Sequence, residues 1–342
     1  MLDRHNLSRW IFGLALVFLL PGAGCIKLSS TSSPAVVFET VDGGERWTAV
    51  DNVLSAPEPS MLTNQTATMF QMSPLDPSAI YLSIAKGGLF SLWNNAWFPL
   101  PERRELKAFA VDTERPCTFY GSFDGGVDKS QDCGRSWKQI FENAPSTVVT
   151  AISISPSDPS RIIMGSNRGD VFLSTDFGNI WSSPLRAGSP IAQILFHPKH
   201  PEQVFVFTAT NELYRSVDGG ANWLDLSAPL GELADVFRQA IVDPTTDDVL
   251  FVGTKQQLLK SSDRGEHWTA LPLLTTPETT DIQTIAIDQQ ESRGIYYATT
   301  NTLYRSQDGG AGWQALPLPS SKSAFVLLSD PKRHGHLYVS VR

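Results

Sequence analysis

Short apolar runs separated by polar turns recur along the chain from about residue 36 onward. Between Val149 and Leu185 the order is a run (TAISIS), a Pro-containing turn, a second run (RIIMGS), a tight turn, a third run (DVFLST), a longer turn and a fourth run (WSSPL). Runs of this length, rich in β-branched and aromatic residues and bounded by Gly, Pro, Asn and Asp, predict strands joined by turns. The stretch therefore predicts four antiparallel strands, which we name A to D.

An eight-residue motif marks the turn between strands C and D. The pattern S/T-x-D-x-G-x-x-W occurs at residues 40–47, 130–137, 174–181, 216–223, 261–268 and 306–313. A shorter seventh copy, SLWNNAW at 91–97, lacks the Asp and the Gly. The closing tryptophans lie 40 to 50 residues apart, so one supersecondary unit is repeated seven times. Seven four-stranded units predict an all-β fold, a seven-bladed β-propeller of antiparallel blades.

The two ends of the chain each hold half a unit. The first motif follows a strand C without A or B, and the segment 323–342 spells A and B without C or D. We therefore expect a composite blade, in which Val36–Thr40 pairs with Leu337–Val341 and no long sheet edge stays open. We also expect six apolar residues to share one core in this blade. They are Val37, Phe38, Phe325, Val326, Leu328 and Tyr338.

The motif residues are interpreted as structural. A carboxylate two residues before a turn Gly can accept backbone N–H groups of its own turn, and the Gly permits a positive φ. The Trp that opens strand D can cover the sheet with its ring. Repeated copies around a ring cannot all face one substrate. The residues concerned are Asp42, Asp132, Asp176, Asp218, Asp263, Asp308, Trp47, Trp137, Trp181, Trp223, Trp268 and Trp313.

These repeats resemble the Asp-box, or BNR, repeats of sialidases, xyloglucanases, sortilins and the photosystem II assembly factor of cyanobacteria and chloroplasts. The resemblance covers about residues 35 to 342. It implies a propeller whose motifs lie on the rim, away from the binding face. Because such families include hydrolases, sorting receptors and assembly factors, the resemblance leaves the function open.

The N-terminal segment predicts export. Arg4 and Arg9 precede ten apolar residues (IFGLALVFLL), a run too short to span a bilayer and typical of a signal peptide. Cys25 follows small residues and resembles the lipidated Cys of a bacterial lipobox, although Gly22 stands where that motif usually has Leu. We predict a lipoprotein signal peptide at 1–24, a lipid anchor and flexible tether at 25–35, and the propeller at 36–342. Plain cleavage is the alternative.

Composition and cysteine count narrow the class further. The 342-residue chain has a net charge of −8, which argues against a nucleic-acid partner. With Cys25 lipidated, Cys117 and Cys133 remain, equally far from the turn between strands B and C. In an exported protein such cross-strand neighbours predict a disulfide, with two free thiols as the alternative.

Catalytic motifs do not stand out. The sequence has no HExxH, CxxC or GxSxG pattern and no phosphate-binding loop, so we predict no catalytic residue, cofactor or metal. Scattered acids, Asp124, Asp170 and Glu232, leave a glycosidase pair open. The pair His197 and His200 is interpreted as part of a solvated A–B turn on the motif side.

The opposite face carries the B–C and D–A loops, which vary between units, and variable loops on a rigid scaffold are common binding sites. Five cations there are candidates for a basic patch, with ordinary solvated surface as the alternative: Lys86, Arg103, Arg104, Arg168 and Lys255. We expect a monomeric, membrane-anchored protein in the periplasm or on the cell surface that binds or helps assemble a protein partner. A glycoside hydrolase or glycan-binding module is the alternative.

Overall fold

A computed structural model describes residues 35–53, 62–85, 88–277, 279–290 and 293–342. It confirms the predicted seven-bladed propeller, because its strands form seven separate four-stranded antiparallel sheets. The predicted signal peptide, Cys25 and nearly all of the tether lie outside the described residues, as does Lys86.

The strands follow one another in chain order around the ring. The N-terminal pair is β1 (Val37–Thr40) and β2 (Thr48–Ala49). Blade 1 is β3 (Ala67–Met72), β4 (Ile80–Ile84), β5 (Gly88–Trp93) and β6 (Ala96–Pro99). Blade 2 is β7 (Ala108–Val111), β8 (Phe119–Phe123), β9 (Gly126–Ser130) and β10 (Lys138–Glu142). Blade 3 is β11 (Val149–Ile154), β12 (Ile162–Ser166), β13 (Asp170–Ser174) and β14 (Ser182–Arg186).

The remaining blades repeat this order. Blade 4 is β15 (Ile191–Phe196), β16 (Val204–Thr208), β17 (Leu213–Ser216) and β18 (Leu224–Asp225), followed by a helix, α1 (Ser227–Gly231). Blade 5 is β19 (Phe237–Val242), β20 (Leu250–Thr254), β21 (Leu258–Ser261) and β22 (Thr269–Ala270). Blade 6 is β23 (Thr284–Ile287), β24 (Ile295–Ala298), β25 (Thr302–Ser306) and β26 (Gln314–Pro317). β27 (Ala324–Ser329) and β28 (Leu337–Val341) join β1 and β2 in blade 7.

Burial follows strand position within a blade. The B strand β12 is buried at all five residues, because neighbouring blades cover both of its faces. The outer strand β14 has only exposed or half-buried residues. The apolar clusters lie between adjacent blades: one joins Tyr120 and Val127 of blade 2 to Ile162 and Met164 of blade 3. The core is therefore distributed around the ring between its blades.

The predicted composite blade is confirmed. Its strand order is β2-β1-β28-β27, and β1 pairs with β28 from Val37 opposite Ser340 to Thr40 opposite Leu337. Five of the six expected residues share one cluster, but the placement of Phe38 is wrong. Successive strand residues point to opposite faces, so Phe38 packs in a different cluster from Val37.

Blade 1 shows what replaces the motif in its shortened copy. Asn94 and Asn95 have φ values of 48° and 60°, so a two-residue turn joins β5 to β6. Positive φ at both central residues is the type I′ arrangement, for which Asn is well suited. Trp97 is completely buried and donates a hydrogen bond from Nε1 to the Val50 carbonyl, 2.9 Å away. Residues 50–53, which follow β2, therefore lie along the outer edge of blade 1.

Candidate functional site

The six complete motifs are turns held by their own carboxylates. Asp218 Oδ1 accepts hydrogen bonds from the Ser216 hydroxyl (2.7 Å) and from the backbone N–H groups of Ala221 (3.0 Å) and Asn222 (2.9 Å). Ser216 Oγ in turn accepts from the Gly220 amide. In all six turns Oδ1 accepts an amide four residues later, at 2.8 to 3.0 Å, from Arg46, Ser136, Ile180, Asn222, His267 and Gly312.

The electrostatics of these carboxylates are those of ionised acceptors. Hydrogen bonds from the Asn222 side chain and amide lower the pKa of Asp218 to about 2. The pKa of Asp132 also falls to about 2 because the Ser136 hydroxyl and amide donate to it. A group that is ionised throughout the physiological range cannot act as a general acid. The geometry therefore gives these aspartates a fastening role.

The turns also seal the gaps between blades. Gly220 has a φ of 96°, and a Cβ added there would lie 2.5 Å from Ile163 of the preceding blade. Three motifs carry a non-glycine residue at the positive φ just after the Asp: Cys133, Phe177 and Arg264. The sequence pattern did not reveal these strained positions, because the motif leaves that residue unspecified.

Cys133 and Cys117 lie side by side on the same face of blade 2. Their Cα atoms are 4.2 Å apart, the sulfurs are joined, and the Cys133 amide donates to the Cys117 carbonyl. The same backbone contact ties the turn to the A–B turn in other blades, as from Gly219 to Glu202. The disulfide thus adds a covalent bond to a turn-to-turn hydrogen bond that also occurs in other blades.

The predicted basic patch on the other face is divided. Arg104 is bound by two carboxylates, with Nη2 2.8 Å from Glu102 and Nη1 2.7 Å from Asp128, and its guanidinium lies over the Phe123 ring. Its charge is therefore balanced locally. Burial acts to raise the pKa of Glu102, but the hydrogen bonds from Arg104 outweigh it, and the pKa is lowered.

The other predicted cations lie on separate blades. Arg103 is exposed in the loop between blades 1 and 2, Arg168 in the B–C turn of blade 3 and Lys255 in that of blade 5. None of these three forms an ion pair with another described residue. The structure therefore gives three exposed cations around one face of the ring, and no contact joins them into one cluster.

The centre of that face is a cavity that the sequence did not point to. It measures about 790 Å³ and is lined by residues in, or just before, the inner A strand of each of the seven blades. Each blade contributes one residue at an equivalent position to the lining of this cavity. In blades 1, 3, 4, 5 and 7 it is the second residue of the A strand, and in blades 2 and 6 it is the residue just before that strand. These residues are Thr68, Lys107, Thr150, Ala192, Arg238, Gln283 and Phe325. We call this set the mouth ring. In five of the seven A strands this residue is left unpaired by a bulge near the start of the strand.

The mouth ring mixes charge and apolar surface. Arg238 lies 3.2 Å from Asp281, and Lys107 lies 3.1 Å from Glu105. The Arg342 guanidinium stacks over the Phe325 ring, 4.8 Å from its centre. Seven equivalent backbone positions thus present cationic, polar, aromatic and small side chains, unlike the repeated turns on the opposite face.

A second cavity lies at the motif end of the A strands. It measures about 540 Å³ and shares Gln71, Gln239 and Leu328 with the first, so the two cavities adjoin each other. Prolines from five A–B turns line it: Pro74, Pro156, Pro198, Pro244 and Pro331. The axis of the propeller therefore has a polar, partly charged mouth and a more apolar one.

The three acids that were candidates for a glycosidase pair are not brought together in one site. Asp124 lies 3.8 Å from Lys107, Asp170 pairs with Arg186 at 3.1 Å, and Glu232 follows α1. They belong to blade 2, blade 3 and the loop after blade 4. Within the described ranges, no group of three or more His, Cys, Asp and Glu side chains is placed to hold a metal ion.

His197 differs from its interpretation as part of a solvated turn. It is 1% exposed, and its Nδ1 accepts the amides of Lys199 and His200 at 3.1 Å. Burial is the main reason that the pKa of His197 is lowered. The neutral imidazole thus fastens an A–B turn in the way that Asp243 does one blade later. Among the described residues, no helix is long and apolar enough to cross a bilayer.

Comparison with known sequences identifies relatives. The profile of the Sortilin-Vps10 family, described as sortilin or neurotensin receptor 3, matches residues 126–228 and 211–341. Vacuolar protein sorting/targeting protein 10 of Aspergillus terreus is 26% identical over 132 residues, or 38% of this chain and 8% of that protein. Sortilin of Danio rerio is 26% identical over 103 residues, or 28% of this chain and 13% of that protein. The matched part is thus a small fraction of each relative.

Solved structures share the fold. The GH74 xyloglucanase from Xanthomonas campestris aligns with a TM-score of 0.63 and 17% identity, over 81% of this chain and 51% of that one. YCF48 bound to a D1 peptide aligns with a TM-score of 0.61 and 17% identity, over 81% and 93%. YCF48 from Cyanidioschyzon merolae gives 0.56 and 15%, over 81% and 96%. At these identities the similarity extends to the propeller alone.

Proposed function

This chain belongs to the Sortilin-Vps10 family, and on that basis we propose that it is an exported, membrane-anchored propeller that binds a protein partner and catalyses no reaction. The binding surface in this proposal is the face formed by the B–C and D–A loops, with the mouth ring at its centre. The fungal and fish relatives are named for protein sorting, and one structural neighbour was solved with a peptide bound.

The observation that carries the proposal is the contrast between the two faces. On the motif face the same Asp, Ser or Thr, and Gly recur because each fastens its own turn. At the mouth ring the backbone positions are equally repetitive, yet the side chains differ from blade to blade. Diversity on a repeated scaffold is what recognition of an asymmetric partner requires, since such a partner presents different chemistry to each blade.

The ionisable groups near this face support binding over catalysis. Glu102 and Asp128 are occupied by Arg104, and Asp170 is occupied by Arg186. A glycosidase needs two carboxylates that flank the scissile bond, one of them with a raised pKa. The pKa of Glu102 is lowered, which is the opposite direction.

Export and anchoring form the second part of the proposal. They rest on the N-terminal apolar run and on Cys25 in its small-residue context. A disulfide between Cys117 and Cys133 suits an oxidising compartment outside the cytoplasm. A single lipid attachment would leave the ring soluble but held at a membrane surface.

Charge reversal on the two faces tests the proposal. Two triple variants change the net charge equally, one on the proposed face and one on the motif side. We expect the first to lower capture of a cross-linked protein partner at least tenfold and the second to leave it unchanged. Equal capture by both would refute the assignment of the face. The variants are Arg103→Glu with Arg168→Glu and Lys255→Glu, and Arg135→Glu with Lys138→Glu and Lys332→Glu.

A glycan ligand is the second candidate, favoured by the structural similarity to xyloglucanases. Xyloglucan and sialylated oligosaccharides, offered to the intact chain, would separate the two candidates. Hydrolysis, or saturable glycan binding that the triple variant on the proposed face abolishes, would replace the protein partner with a glycan.

A further inference from the structure

One histidine lies at the seam where the two ends of the chain meet. His336 begins the approach to β28 and is 1% exposed. Its Nε2 lies 2.5 Å from Glu39 Oε1 on β1, and its Nδ1 lies 3.1 Å from Asp330 Oδ2 at the end of β27. One ring therefore bridges the N-terminal strand to the C-terminal hairpin.

Counting donors shows that this bridge needs an added proton. An ionised carboxylate only accepts hydrogen bonds, and a neutral imidazole has a single N–H. The pKa of Glu39 is lowered, chiefly by its hydrogen bond with His336. Burial acts to raise the pKa of Asp330, but hydrogen bonds from the Lys332 amide and the Arg333 side chain outweigh it, and the pKa is lowered. With both carboxylates ionised, both contacts are satisfied only by the doubly protonated ring.

The charges around the ring reinforce this requirement. Arg333 Nε lies 2.7 Å from Asp330 Oδ2, and the Tyr338 hydroxyl donates to Glu39 Oε1 at 3.1 Å. Beside them, His334 Nδ1 lies 2.8 Å from Asp288, a carboxylate of blade 6 that is completely buried. Three carboxylates thus face one arginine and two imidazoles. Without a proton on an imidazole the cluster holds excess negative charge in a largely buried place, which is costly.

We propose that this seam is a proton-dependent latch, in which protonated His336 holds β1 against the C-terminal hairpin and loss of the proton loosens the N-terminal strand. The closed seam holds one proton more than the open seam, because only the closed seam places both carboxylates against the ring. The latch is therefore fully closed at lower pH, and its contribution to stability is lost as the pH rises. The chain before residue 35 connects to the ring only through β1. Release of β1 would therefore also free the point at which that segment joins the propeller.

Hydrogen exchange of the β1 amides, measured from pH 6 to pH 9, tests the latch in the intact protein. After correction for intrinsic exchange, protection of Val37–Thr40 should fall as the pH rises, by at most about tenfold per pH unit, because opening releases one proton. In Glu39→Gln the carboxamide can donate to Nε2 of a neutral ring, whose Nδ1–H then serves Asp330. Protection of the same amides should therefore become nearly independent of pH.

His197 supplies the matched control. It is as buried as His336, but its Nδ1 accepts two backbone amides, so it is used in the neutral form. His197→Asn should change protection by the same factor at every pH. Identical pH slopes in the wild type and Glu39→Gln would overturn the latch. So would ¹⁵N chemical shifts that show a neutral His336 ring at pH 6 in the wild type, a measurement that needs no variant to fold.

Discussion

Replacing Asp218 by Ala separates a fastening role from a binding role. The substitution removes an acceptor that serves the Ser216 hydroxyl, two backbone amides and the Asn222 side-chain amide, at 2.7 to 3.0 Å. The donors left without this acceptor lie near the surface, where water can accept some of their hydrogen bonds. We therefore expect a cost of about 1–2 kcal/mol, at the low end of that for an unsatisfied buried donor. For a domain of this size that is a fall in melting temperature of roughly 1.5–3 °C.

The assay pairs calorimetric melting with capture of the partner by the same preparations. Asp308→Ala, two blades away in blade 6, breaks the two matching contacts, from the Ser306 hydroxyl and the Gly312 amide, and should lower the melting temperature by less. Both variants should retain partner capture at temperatures below melting. If Asp218→Ala melted like the wild type and lost capture, while Asp308→Ala kept it, the carboxylate would belong to a binding site and the fastening argument would fail.

Acid supplies an independent check on the same residue. The folded-state pKa of Asp218 is about 2, below the ordinary Asp value of about 3.9. Its ionisation therefore stabilises the fold above that ordinary value, and the contribution is lost as the pH falls to about 2. The difference in melting temperature between the wild type and Asp218→Asn should shrink across this interval. A difference that stays constant from pH 6 to pH 2 would refute the assigned pKa.

The remaining predictions concern the cysteines and the seam. Thiol labelling of the exported protein under denaturing, non-reducing conditions should modify neither Cys117 nor Cys133, and labelling of both would disprove the disulfide. Cys25→Ser should move the protein from the membrane fraction to the soluble fraction, and an unchanged membrane fraction would exclude lipidation at this position. Deletion of residues 335–342 removes β28, whose five residues are all buried, and should cause cooperative unfolding and aggregation. Deletion of residues 26–34 should leave the melting temperature unchanged. Equal melting temperatures of the two variants would overturn ring closure.

The fold could be predicted because its two signals are local and repeated. The spacing of the motif tryptophans gives the number of blades, and the half units at the ends give the composite blade. The lengths of the strands were harder to predict from the sequence. β18 and β22 have only two residues each, because the outer edge of a blade is solvated and few apolar positions mark it.

The candidate site was harder to predict because it depends on contacts between blades. Arg103 and Arg104 are adjacent in sequence, yet only Arg104 is bound by two carboxylates, one of them 24 residues away. The mouth ring collects one residue from each blade, and no local pattern distinguishes Arg238 or Phe325 from its neighbours. A residue that forms a site together with the equivalent residues of other blades can be recognised only when the strand register of every blade is known.

Closure through a composite blade sets the order in which this chain can fold. Every other blade is built from consecutive hairpins, but Val37 finds its partner, Ser340, roughly 300 residues later. At 5–20 residues per second, synthesis leaves β1 without that partner for about 15 to 60 s. During that interval both ends of the growing ring present unpaired strand edges, which are prone to wrong pairing. β28 thus completes the native ring, and a chain that stops short of it has no closed state to reach.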